Sequence, residues 1–489
     1  MFGPRLSVRR PLADQRLGRG GRWGQLWQGV WFGLWLGVGG AFLGPLTPAQ
    51  GQVGGVAFDA RGEVRLAEPL SEAELQTARQ ALPVPPAEAA QASPRRVVSL
   101  RRLEAALDRL AEPGGLLACD ELPGDLRFLV GLHQIDWVLC PPDDDDVWLV
   151  GPAGGWRADE TGRPVAASAG RPVLELDDLV VALRYAFPQH ETDDFIGCSI
   201  DPTPAGMTAV ERLLQQHRRI DAARAGPLAR ALEEAAGPHA VTLFGIPHDS
   251  QFAHKLVSAD YRLKRLALGH DPAPVVAWKS SLDLLTQRGA VGRLPQQRWW
   301  FAPAPGALRV SDDRRTWRID PQPLQVQTAR RLADGQPPAP ATREATQFAE
   351  LATRLLPDVV TRVPIFAELQ NLLALALAAE IVRNRAESAD NVAVKATDGG
   401  WRPGRLLDAA RLSTWRGPIP RQTAPLAQVR PGAKGAWICT VSGGVELRPE
   451  ALVRQAGELR ETSPVPALPA APADPSRWWW DASTASDEK

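Results

Sequence analysis

Residues 195–200 read FIGCSI, residues 201–204 DPTP, residues 240–246 AVTLFGI and residues 249–268 DSQFAHKLVSADYRLKRLAL. The first and third are short β-rich apolar runs, and the other two open helices. Thr203 is a capping residue, and Pro204 takes the first helical position, where its missing N–H costs nothing. That helix is expected to reach about Ile220. A second, Pro227 to Ala235, precedes the strand Ala240 to Ile246. The stretch Asp249 to Leu268 is again helical, capped by Asp249 or Ser250, with Phe252, Leu256, Ala259, Leu263 and Leu266 on one apolar stripe. This spacing turns Lys255, Arg262 and Arg265 away from the core. Strand, helices, strand and helix in this order predict a parallel βαβ unit of right-handed sense.

Working outward, the neighbouring segments predict a mixed α/β (α+β) fold with hairpins and C-terminal helices. Toward the N-terminus, Ile135 to Cys140 and Val147 to Gly151 form a hairpin across the Pro- and Asp-rich residues 141–146. Trp156 to Val165 forms a second one around the turn Asp159 to Gly162. Arg96 to Leu100 reads as a strand, and helices are expected at Arg102 to Leu110, Asp125 to Leu132 and Leu176 to Phe187. Residues 83–95 have no periodicity and read as a linker. Before them, Val53 to Leu66 gives two strands around Asp59–Gly62, and Ser71 with Glu74 makes a capping box for a helix to about Leu82. Toward the C-terminus come strands at Arg298 to Ala302 and Trp317 to Ile319. Two helices follow, Ala345 to Leu356 and Ile365 to Asn384, the second internal because it is apolar on most faces. Pattern fades over residues 386–461 apart from one hairpin at Trp437 to Leu447, and residues 462–489 read as a disordered Pro/Ala-rich tail. Residues 96–385 then form the main domain.

The first 49 residues carry Arg5, Arg9, Arg10, Arg16, Arg19 and Arg22 before an apolar run from Leu26 to Gly44. Positive charge ahead of an apolar stretch is the secretory-signal pattern, and Thr47-Pro48-Ala49 places small residues for cleavage after Ala49. The alternative is an uncleaved anchor, which would be the chain's one membrane link. Arg9-Arg10 also raises twin-arginine export, a motif that Pro11, Leu12 and Ala13 fit poorly. The expected location is therefore secreted or periplasmic. Export permits disulfides, but Cys119, Cys140, Cys198 and Cys439 are sparse and lie partly in apolar runs, so buried free thiols are favoured over any of the three pairings.

There are 56 basic and 56 acidic residues, and 50 of the bases are arginine. Without residues 1–49 the balance is 50 to 55, which leaves no electrostatic footprint for nucleic acid. The Arg excess over six Lys is what a GC-rich genome writes. No P-loop, HExxH, GxSxG, dinucleotide glycine fingerprint or CxxC pair occurs, so no cofactor or metal is indicated. Asp143 to Asp146 lacks the ligand spacing of a calcium loop and reads as a solvated turn. Trp299-Trp300 and Trp478-Trp479-Trp480 stand out, since exposed indoles can stack on glycans or envelope partners; the first pair alternates across a strand, so at least one is core, and the tail triplet is expected to dock on this protein or another.

Several stretches resemble an exported family found mainly in planctomycete bacteria and known as a domain of unknown function. They are Val97–Leu100, Leu149–Trp156, Arg171–Leu174 with Leu176–Leu179, Cys198–Thr203, Ala259–Lys264, Arg298–Trp300, and Pro364–Phe366 with Leu369–Asn371. The resemblance spans about residues 96–385 and implies export and one continuous domain, with no activity or ligand attached. Phe252-Ala253-His254-Lys255 and the C-terminal third fit that family's pattern less well.

If the chain has a functional site, the segment 244–270 is the place to expect it, because strand-to-helix turns at the carboxyl ends of parallel strands hold ligands in α/β folds. The candidates are His248, Asp249, His254, Asp260, Tyr261, Arg262 and Lys264, with His270 as a further metal-type donor. Asp260 and Lys264 are i,i+4 partners. His248, His254 and Asp260 are six residues apart and share no helical face. The competing structural reading is an amphipathic helix with a solvated basic face. On this footing the chain reads as an exported envelope protein, a binding or structural component. An envelope hydrolase using acid/base or metal-binding residues of 244–270 is the alternative.

Overall fold

The computed structural model describes residues 51–53, 55–142, 145–190, 192–217, 224–286, 297–330, 341–391, 401–432, 435–459 and 470–482. The export segment 1–49, part of the Asp143–Asp146 turn and parts of the 462–489 tail therefore lie outside the described residues. Within them the fold is α+β, as the sequence predicts, built on two main sheets.

The larger sheet runs Gly51–Val53, Val56–Phe58, Glu63–Leu66, Gln422–Thr423, His239–Phe244, Ile196–Pro202, Gly435–Leu447, Gln297–Pro303, Leu324–Arg330. Gly435–Leu447 is its organising strand. It pairs antiparallel with Ile196–Pro202, parallel with Gln297–Pro303, and antiparallel with Ala427–Gly432. The expected late hairpin at Trp437 to Leu447 is thus one 13-residue strand. Two glycines let it fit. Gly443 sits at φ +141, where a Cβ would lie 1.6 Å from the Trp299 carbonyl oxygen, and a Cβ on Gly444 would lie 1.9 Å from that of Cys198.

The predicted parallel unit at residues 195–268 is corrected by the register. Ile196–Pro202 and His239–Phe244 are antiparallel, with Ser199 opposite Thr242. Two helices, Pro204–Gln216 and Ala225–Ala236, connect them and pack on each other. An even number of helices returns the chain to the end it left, so the next strand runs back. Parallel pairing occurs elsewhere, as between Gln297–Pro303 and Gly435–Leu447.

The smaller sheet runs Gly457–Glu458, Leu308–Val310, Thr316–Ile319, Trp137–Leu139, Trp148–Ala153, Ser93–Ser99, Trp479–Asp481. Its last pairing departs from the expected disordered tail: Trp478, Trp479 and Trp480 are all buried, and Trp480 sits opposite Val97. Three indoles bury enough area to anchor a segment whose remaining residues could not. The expected linker is also built into the body. Ala87–Ala90 forms a helical turn, and the carbonyls of Ala89 and Gln91 accept from the fully buried Arg96 guanidinium at 2.9 and 3.1 Å. Arg96 completes its fork on Asp481, with Nε to Oδ1 at 2.9 Å and Nη2 to Oδ2 at 3.1 Å.

Helices cover the core face of the larger sheet. Gln251–Leu268 lies on Ile196–Pro202 and Gly435–Leu447, while Leu176–Ala186 and Pro364–Asn391 pack against its other side. The stretch Pro364–Glu387 has the length and apolarity to cross a membrane, yet it is buried inside this core. All four cysteines are buried and free.

Candidate functional site

Gln251–Leu268 begins where Ser250 caps it, accepting from the Ala253 amide at 3.2 Å, and ends at Gly269 in the left-handed region. Sheet on one side and helices on the other bury most of its surface. The expected solvated basic face is therefore corrected at Lys255, which is 4 % exposed. Arg262 and Arg265 do reach the periphery, where both hold Asp271, at 2.9 and 2.8 Å.

The candidate residues do not converge. His248 is exposed and lines an open recess of about 680 Å³ with Arg184, Tyr185 and Asp193. Asp249 forms an ion pair with Arg416. His254 is fully buried, stacked 4.0 Å from Phe58, and its Nε2–H donates to the Pro418 carbonyl at 2.6 Å. Burial pulls its pKa down to about 4. Asp260 and Lys264 form the expected pair, with both side chains fully buried. Burial raises the Asp260 carboxyl to about 6, against the pull of Lys264. Tyr261 is buried under the Arg265 guanidinium, 5.7 Å from its ring. His270 donates to Ala427 O at 3.2 Å. Among the described residues no group of three His, Cys, Asp or Glu is placed to hold a metal ion.

Polar groups converge instead at the helix's first two turns, on a side the candidate set missed. Lys255 Nζ donates to Glu175 Oε1 at 2.8 Å and to Asp178 Oδ2 at 2.6 Å, and Gln251 Nε2 donates to the same Glu175 oxygen at 2.8 Å. Arg163 Nη1 donates to Glu368 Oε1 at 2.8 Å, and its Nη2 meets Asp159 Oδ2 at 3.1 Å. Of these, Lys255, Glu175, Gln251, Arg163 and Glu368 line a cleft of about 310 Å³ together with Arg127 and Phe128, walled by Ala78 and Leu82 at the end of the N-terminal helix. Burial works against the Lys255 charge, but the Asp178 and Glu175 carboxylates more than offset it and hold its pKa above the usual range. Burial likewise opposes ionisation of Glu175, and Lys255 reverses this, so Glu175 stays below the usual carboxylate range. Asp178, behind them and outside the cleft wall, is pushed by burial up to about 7. The cleft thus presents Arg127, Arg163 and Lys255 beside Glu175 and Glu368, and Glu368 Oε2 is buried with no hydrogen-bond partner among the described residues.

A sequence signal for this cluster existed. Glu175, Asp177 and Asp178 interrupt the apolar run VLELDDLVVAL at 173–183, and acids inside such a run need a buried counter-charge. In a chain that writes 50 of its 56 bases as Arg, Lys255 and Lys264 both fall on one buried helix.

The fold and cleft define an α+β protein with a helix-lined, mixed-charge cavity. Residues 198–279, from the strand at Cys198 through the helix carrying Lys255, match the family described as "Protein of unknown function (DUF1598)". The resemblance to a domain of unknown function holds over those residues. No curated protein and no solved structure matches the chain.

Proposed function

We propose that the chain is an exported envelope protein of the planctomycete type that binds a small zwitterionic ligand, of amino-acid or short-peptide kind, in the Lys255 cleft. The observation that carries this reading is the convergence of three cationic and two anionic side chains on one cavity of about 310 Å³. A mixed-sign wall favours a ligand with both signs, because a purely anionic or cationic one would face like charge on half its contacts. Arg127 contributes the anion contact: its Nη1 uses one bond, to Asp120 O at 3.0 Å, which leaves further N–H groups for a carboxylate. Glu368 is the matching anionic side chain for an ammonium group. Export rests on the order of arginines and apolar residues within 1–49.

A hydrolase is the second reading, and the perturbed Asp178 favours it, since raised carboxyls are suited to proton transfer near neutral pH. Binding fits better because Asp178 stands behind Lys255 and does not line the cleft. The test uses protein recovered from the envelope fraction. Its N-terminus is expected near Gln50 by mass spectrometry; intact Met1 on membrane-bound protein would favour the uncleaved anchor, and recovery of the protein only from the cytoplasmic fraction would overturn the export half. Calorimetric titration with free L-amino acids and alanyl-alanine is expected to find a binder that Arg127→Ala weakens by about tenfold or more, the worth of a charged hydrogen bond. No binding, or binding indifferent to Arg127→Ala, defeats the cleft assignment, and conversion of alanyl-alanine to alanine would establish the hydrolase.

A further inference from the structure

Trp299 and Trp300 alternate across the strand Gln297–Pro303, so one indole faces the core and the other the opposite side of the sheet. Trp299 is fully buried, and its Nε1 donates to Ala345 O at 3.1 Å. Trp300 is half-buried, and it opens on a separate recess of about 260 Å³ between the sheet and the short helix Pro449–Arg454. Directly across the ladder it faces Gln327 on one neighbour and Gly444 on the other. Gly444 offers no side chain to cover the ring, and the close approach of the Cys198 carbonyl forbids one there. Arg298 stacks over the indole at 5.8 Å and sets its plane.

Around the ring the lining divides in two. Ala302, Ala451 and Leu452 continue the apolar floor, while Gln327, Gln455, Glu446 and Arg448 supply planar polar groups. Glu446 and Arg448 neutralise each other, with Nε to Oε1 at 2.7 Å, so the recess carries no net charge. Gln327 and Gln455 are exposed, and no side-chain hydrogen bond engages either amide among the described residues. An amide both donates and accepts, as a hydroxyl does. An indole floor offers a π-face to a ring with polarised C–H bonds. Neutral, flat, apolar on its face and hydroxylated on its rim is the description of a pyranose.

We propose that this recess is a carbohydrate subsite, taking one neutral sugar ring of a glycan on Trp300, with Gln327 and Gln455 on its hydroxyls. It is distinct from the Lys255 cleft and shares none of its lining residues. The test is saturation-transfer NMR on the whole protein with cellobiose, chitobiose and lactose as probes, followed by titration of any that respond. At least one disaccharide is expected to bind in the millimolar range, with Trp300→Ala weakening it by about tenfold, consistent with loss of an aromatic contact. Arg127→Ala should leave it unchanged, which separates this site from the cleft. The exposed variants Gln327→Ala and Gln455→Ala are each expected to weaken binding several-fold without moving the melting temperature, so the proposal stays testable if Trp300→Ala fails to fold. No response to any of the three sugars overturns it. So does binding that all three recess variants leave intact, or a recess that answers only to N-acetyl-tryptophanamide.

Discussion

His254 enters the core as a neutral ring, its Nε2–H committed to Pro418 and its Nδ1 without a hydrogen-bond partner among the described residues. A folded pKa of about 4, below the usual histidine value of about 6.5, means that the unfolded chain takes up the proton first as pH falls. The stability contributed by the neutral buried ring is therefore full above about pH 6.5 and is lost as pH drops toward 4, by about 3 kcal/mol in all. His254→Phe removes the titration but keeps a ring against Phe58. The wild-type urea midpoint should fall relative to the variant's from pH 7 to pH 4.5, and a constant difference would contradict the assignment. Subtraction is needed because Asp177 and Asp178, raised by burial to about 6 and 7, titrate with the opposite sign over part of the same window. The Asp260–Lys264 pair gives a second residue-scale expectation. Asp260→Ala strands a buried ammonium and should cost about 3–5 kcal/mol, whereas Asp260→Leu with Lys264→Met should recover most of it, because an apolar pair of similar volume needs no desolvation. Chemical denaturation of both variants checks this, and a double variant no more stable than Asp260→Ala would show that the pair does more than neutralise itself.

At the scale of elements, local chemistry was readable and pairing was not. The capping box at Ser71, the Thr203 cap with Pro204, and the hairpins at residues 135–151 and 156–165 all form as their turn and cap residues dictate. These are decided within a few residues of chain. The antiparallel return at residues 196–244 depends on how two helices pack, and the place of Gly435–Leu447 depends on strands more than a hundred residues away. Nothing in a 3.6- or 2-residue period carries such information. The cleft was not legible for the same reason: Lys255 was visible, but its partner on Leu176–Ala186 and the hairpin at Arg163 become neighbours only through tertiary packing. The tail misled through composition, because Pro, Ala and Ser around it diluted three tryptophans that are buried. A chain ending at residue 469 should accordingly lose at least about 3 kcal/mol, the scale of removing one buried indole. Urea unfolding of the truncated and full chains measures it, and equal midpoints would mean that Trp479–Asp481 adds nothing to the fold.

For the molecule as a whole, the decisive feature is where the closing strands lie in the chain. The larger sheet has Gly435–Leu447 at its organising position, and the smaller sheet takes Trp479–Asp481 as an edge. Arg96 waits across 385 residues for Asp481. Synthesis proceeds from the N-terminus, so the larger sheet cannot be completed before residue 447 has emerged, nor the smaller before residue 481. A half-made polypeptide holds unsatisfied strand edges and a guanidinium with no carboxylate, and its native state is not yet available to it. Under the export proposed above, such lateness would be an advantage: folding is deferred by topology until Trp478–Trp480 have crossed, and the same delay marks any prematurely terminated product for proteolysis.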